Sequence, residues 1–197
     1  DRLKRISKEI PYLVQPCITN HPEVQDLSNG GLMPIRIVTG VSEDREVVPV
    51  YATLCMPVEE SACVNLCKGG LCSMVDMESG ELESARTAAF ANFLVDKHPV
   101  TGGRIKGRLI PDWEAAKTLA CDGHRAVIAR QQSEGERINV MLGWDIAITP
   151  DGPMIIETNM CFGDTYQMAG RGPVGTTRFA ELLHHHLERL EPEYGPI

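Results

Sequence analysis

Short apolar runs separated by polar, Gly- and Pro-bearing turns recur along the chain. Residues 35–41 and 47–55 are rich in Val and Ile and flank the polar stretch Ser42-Glu43-Asp44-Arg45, which predicts two strands joined by a turn. A second pair of short strands is predicted at 62–66 and 71–76, parted by Lys68-Gly69-Gly70 and followed by a turn at Glu78-Ser79-Gly80. Residues 140–149 and 154–158 make a third pair. Residues 12–18 form a short extended candidate punctuated by Pro16, and 20–34 reads as a loop with Pro22, Gly30 and Gly31. Helical spacing takes over at Asp112, placed as an N-cap. Ala116, Leu119, Ala120 and Val127 then share one side of a helix that reaches about Gln131. Gly123 costs such a helix about 1 kcal/mol relative to Ala and allows a break in it. The segment 96–111 is irregular, a glycine-rich loop covers 163–175, and a last helix is expected from about 176 to 190. Strands with peripheral helices and no strict alternation predict an α+β fold, a mainly antiparallel sheet with flanking helices.

Composition narrows the function classes. A chain of 197 residues fits one domain, or one domain plus a lobe. Its net charge of −8 argues against a nucleic-acid partner, whose phosphates call for a basic face. No apolar run approaches the roughly 20 residues of a membrane span. The opening ten residues are charged, unlike a secretory leader. Seven scattered cysteines do not resemble a secreted disulfide framework, so a reducing, cytoplasmic setting is expected. Cys63, Cys67 and Cys72 lack zinc-finger spacing and read as small hydrophobes. His184, His185 and His186 fan around the last helix and read as a solvated face.

The chemistry concentrates between Gly143 and Asn159. Pro150-Asp151-Gly152 suits a three-residue hairpin loop, with Gly152 at the left-handed position. Pairing of Thr149 with Pro153 would set Asp145 directly opposite Glu157, with Cβ atoms roughly 4.5–5.5 Å apart. Asn159 shares that face, while Trp144, Ile146 and Ile148 point into a core. Two carboxylates so close repel unless a proton or cation lies between them. Hard oxygen donors of this kind suit Mg²⁺, and Glu157 can bridge two ions while Asp145 holds one. The competing reading is a solvated acidic pair on an exposed hairpin. Neighbouring Ile155, Ile156 and Met160 favour a sheltered position instead.

Gly143-Trp144-Asp145 followed by Glu157-Thr158-Asn159 resembles the C-terminal metal motif of ATP-grasp enzymes. Tyr12-Leu13-Val14-Gln15-Pro16 resembles their hinge strand, near 12–18. Ile35-Arg36-Ile37-Val38-Thr39 resembles the strand whose Arg faces phosphate. His98-Pro99-Val100-Thr101-Gly102 and Gly107-Arg108-Leu109-Ile110-Pro111 resemble the sugar-transfer-associated branch. The resemblance covers nearly all of 1–197 and implies an ATP-grasp C-terminal lobe with its metal hairpin at 143–159.

That resemblance implies a function and roles. The chain would activate a carboxylate with Mg²⁺-ATP as an acyl phosphate, for attack by an amine or another nucleophile. Asp145, Glu157 and Asn159 would hold the metal, with two ions expected. Arg36 would stabilise the transferring group, and Leu13, Val14, Gln15 and His21 would surround the nucleotide. Arg171, in the glycine-rich loop, would anchor a substrate carboxylate. Only about ten residues precede the hinge, so the N-terminal lobe is expected outside this chain, on a longer form, a second copy or a partner. The alternative is a non-catalytic nucleotide- or sugar-binding scaffold of a surface-polysaccharide pathway.

Overall fold

The computed structural model describes residues 16–60, 70–87, 90–162 and 174–194. Seven strands form one sheet: β1 (Pro34–Val41), β2 (Val47–Met56), β3 (Leu71–Val75), β4 (Ala85–Thr87), β5 (Phe90–Val95), β6 (Met141–Thr149) and β7 (Gly152–Asn159). Their order across it is β5-β4-β3-β2-β1-β6-β7, and every neighbouring pair is antiparallel. Helix α1 (Trp113–Ser133) joins β5 to β6, and α2 (Arg178–Tyr194) follows β7. The α+β architecture with flanking helices is therefore as expected. The strands at β4 and β5 were not legible in the sequence, and the expected strand at 62–66 lies outside the described residues.

Period-two alternation sorts the side chains of the sheet onto two faces. One face buries Ile35, Ile37, Ala52, Leu54, Leu71, Trp144, Ile146 and Ile148 against Trp113, Ala116 and Ala120 of α1. Helix α1 is unbroken through Gly123. A Cβ there would stand 2.9 Å from the Trp144 ring and 3.2 Å from Ile155, so the glycine admits the indole. Asp112 does cap α1, but through its backbone in the left-handed region (φ 52°), with no side-chain hydrogen bond. Its carbonyl accepts from Ala116 N at 2.9 Å.

A polar relay crosses this interface. Trp144 Nε1 donates to Thr39 Oγ1 at 2.8 Å, and Thr39 Oγ1 lies 2.8 Å from His124 Nδ1. His124 Nε2 donates to the Asn139 carbonyl at 2.8 Å. A carbonyl only accepts, so Nε2 carries the proton and Nδ1 accepts from Thr39. Burial pushes the proton affinity of His124 below its ordinary value, against the opposing pull of Asn139. The opposite face is only partly covered. Helix α2 lays Phe179 and the buried Leu182 over its β1–β2 end, where Phe179 stacks edge-on with Tyr51 and Phe162. Gly40 makes room for Leu182 there.

Candidate functional site

Arg36, Asp145 and Glu157 occupy adjacent positions on three neighbouring strands. Arg36 is the direct partner of Asp145, and Asp145 of Glu157. The hairpin reaches this register by a route that differs from the expected one. Thr149 pairs with Gly152, not Pro153, which alone would slip the two acids out of line. A bulge opposite Asp145 and Ile146 takes up the extra residue on β7 and restores the pairing. Gly152 holds φ 104°, as the tight turn requires. Asn159 pairs with Gly143 on the same face, two positions from Glu157.

The contacts are charge-assisted. Arg36 Nε and Nη2 donate to the two carboxylate oxygens of Asp145 at 2.5 and 3.1 Å, a forked pair. Arg36 Nη1 donates to the Phe162 carbonyl at 2.6 Å. Asn159 Nδ2 donates to Glu157 Oε1 at 3.0 Å. Burial raises the proton affinity of Asp145, and neighbouring Glu157 raises it further, which outweighs the lowering by Arg36. Glu157 is shifted the other way, by Asn159 first and then by Asp145. The two carboxyl groups thus lie within reach of one shared proton, the arrangement in which a cation can take the proton's place.

Exposure divides the row. The side chains of Arg36 and Asp145 are 18% and 13% exposed. Glu157 is exposed, and so are Ile156 and Met160 (40% and 69%), so the sheltering expected of these apolar neighbours is absent. The reason is topological: among the described residues β7 is an edge strand, with no neighbour beyond it.

The donor set fits a hard divalent cation. A carboxylate offers about four acceptor directions, and Arg36 uses two on Asp145. Glu157 presents its carboxylate to solvent, and the amide of Asn159 would turn to offer oxygen in place of nitrogen. Among the described residues, no group of three or more His, Cys, Asp or Glu side chains could hold a metal, so the set stands at two carboxylates and one amide.

Gly143, which opens the expected metal motif, and Phe162, which was not singled out, both belong to the site. A Cβ on Gly143 would meet Phe162 Cγ at 2.8 Å and Phe162 Cβ closer still, with Arg36 Cδ at 3.3 Å. The chain beyond β7 therefore folds back over Gly143 and brings the Phe162 carbonyl to Arg36. A glycine inside a strand signals such a close approach. No sequence signal marks Phe162.

The other expected residues fall elsewhere. His21 caps the 3₁₀ turn Pro22–Leu27, its Nδ1 accepting from Glu23 N at 3.2 Å. Its own backbone N–H donates to the Ile148 carbonyl at 2.8 Å, so it sits toward the hairpin end of β6, away from Asp145. His98 is fully buried and structural: Nε2 donates to the Pro57 carbonyl at 2.9 Å, and Nδ1 accepts from Thr101 N at 3.2 Å. Leu13, Val14, Gln15, Arg171, Cys63 and Cys67 lie outside the described residues. No helix among the described residues is long and apolar enough to cross a membrane.

Comparison with known proteins bears on this geometry. The model of a family described as sugar-transfer associated ATP-grasp matches residues 5–178. No curated protein and no solved structure matches the chain.

Proposed function

The chain belongs to the sugar-transfer associated ATP-grasp family, which supports a ligase-type, nucleotide-using activity, and from that premise we propose that it activates a carboxylate with Mg²⁺-ATP. The observation that carries this reading is the row Arg36–Asp145–Glu157, with Asn159 beside it, on the face of the sheet opposite α1.

Each residue takes a role that its chemistry permits. Asp145, Glu157 and Asn159 would hold Mg²⁺, which when bound supplies charge neutralisation to the nucleotide phosphates. Arg36 keeps Asp145 oriented through the fork, and its positive charge would stabilise the transferring phosphoryl group. The Phe162 carbonyl fixes the third nitrogen of the guanidinium. Transfer of the γ-phosphoryl group to a carboxylate oxygen gives an acyl phosphate and ADP. A nucleophile such as an amine then takes the acyl group and releases phosphate. Positioning and electrostatics carry such a reaction, so the chain requires no side-chain nucleophile. Leu13, Val14, Gln15 and His21 remain the proposed surroundings of the nucleotide, and Arg171 the proposed anchor for a substrate carboxylate.

The test uses the longest natural form of the protein, Mg²⁺-ATP, a panel of amino and sugar acids, and hydroxylamine. Hydroxylamine converts an acyl phosphate to a stable hydroxamate. Hydroxamate that appears with ADP, and falls on the order of 10²-fold or more in Asp145→Asn/Glu157→Gln, is expected. Nucleotide binding without hydroxamate for any acid would favour the non-catalytic scaffold.

A further inference from the structure

Cys55 on β2 and Cys72 on β3 are direct cross-strand partners. They lie on the face that carries Arg36, since Thr53, two positions before Cys55, is the partner of Arg36. Cys72 is buried and Cys55 is half-buried. Each thiol is in hydrogen-bonding contact with the other. Directly opposed Cα atoms in an antiparallel pair lie about 4.5–5.5 Å apart. That interval falls inside the roughly 4.4–6.8 Å spanned by disulfides.

The two sulfurs are not equivalent. The hydrogen bond from Cys72, and then the charge of Arg36, favour a thiolate on Cys55 against the effects of burial and of the Asp145 carboxylate. The bond to Cys55 and burial keep Cys72 protonated. The remaining described cysteines stand apart: Cys17 and Cys161 are exposed, and Cys121 is buried, with burial raising its thiol's proton affinity.

We propose that Cys55 and Cys72 form an oxidisable dithiol that closes to a cross-strand disulfide when the protein meets a peroxide. The Cys55 thiolate attacks one peroxide oxygen, the O–O bond breaks, and Cys55 becomes a sulfenic acid as hydroxide leaves. The Cys72 sulfur then attacks the Cys55 sulfur, and the sulfenic hydroxyl departs with the Cys72 proton as water. In sum, two thiols and one hydrogen peroxide give one disulfide and two waters. The sulfurs are oxidised and the peroxide oxygens reduced.

The proposal is independent of any reaction at the carboxylate row. Its test is to expose the folded protein to hydrogen peroxide, block the remaining thiols in denaturant, digest with trypsin and sequence the peptides by mass spectrometry. Lys68 lies between the two cysteines, so they fall in separate peptides. The peptide carrying Cys55 is expected joined to the one carrying Cys72 and lighter by two hydrogens, with fragmentation placing the bond at Cys55. Dithiothreitol should separate them, and Cys72→Ser should leave Cys55 at the sulfenic stage or beyond. Recovery of both cysteines blocked and unlinked, or either one joined to a different cysteine, would overturn the proposal.

Discussion

Gly143 shows how one missing side chain can organise a site. Any Cβ there would strike Phe162, whose carbonyl holds Arg36. Gly143→Ala should therefore cost about 1–3 kcal/mol by overpacking and loosen Arg36. Thermal denaturation checks the first effect and Mg²⁺-ATP affinity the second. Gly135 is the control, since its Cβ would meet nothing within 4 Å; it does hold φ 70°, so Gly135→Ala should lower stability through backbone strain alone and leave nucleotide affinity unchanged. The pairing of Asp145 with Glu157 was legible in the sequence, because residue types and alternation fix which acids share a face. The bulge that produces it was not. A bulge depends on how a whole ladder fits, and here it compensates a turn one residue tighter than expected. Arg36 as the partner of Asp145 was also hidden, because the two lie 109 residues apart.

At the scale of elements, α1 is fastened to the sheet by the relay Trp144–Thr39–His124–Asn139. His124 is fully buried, and burial depresses its proton affinity below that of a free imidazole. As pH falls below about 6.5, the unfolded chain takes up a proton that the folded chain refuses. Stability present at pH 8 should thus be lost progressively as pH falls through 6.5 and toward the lower folded value. Urea midpoints measured between pH 8 and 5 should show the decline, and His124→Gln should flatten it. Gly123 tests the same interface. Ala normally gains about 1 kcal/mol over Gly in a helix. Here its methyl would press on a Trp144 ring tethered through Nε1, and overpacking costs about 1–3 kcal/mol. Gly123→Ala should leave stability unchanged or lower it, and a midpoint raised by the full propensity gain would contradict this packing. A helix reaching about Gln131 was legible from its own residues; the reason for Gly123 was not, because it lies on β6. Strands β1, β2, β6 and β7 were legible from their Val and Ile content. β4 and β5, short and bordered by Ala88 and Ala89, gave no comparable signal.

For the whole molecule, strand order decides what the site can be. Placing β1, β6 and β7 side by side brings a cation and two carboxylates into one row across three strands, on the face opposite α1. One face of the sheet is spent on the core beneath α1, and the other carries the polar row beside the cluster that Phe162 forms with Phe179 of α2. Under the proposed function, this row is where nucleotide phosphates would meet metal. The most direct test of that reading is a calorimetric titration of ATP into the longest natural form of the protein, with and without Mg²⁺, beside Asp145→Asn/Glu157→Gln shown to be folded by circular dichroism. ATP binding that requires Mg²⁺ and weakens by on the order of tenfold or more in the folded variant is the predicted result. Equal, Mg²⁺-independent binding by the two proteins would contradict the assignment of Asp145 and Glu157 as the residues that hold the metal.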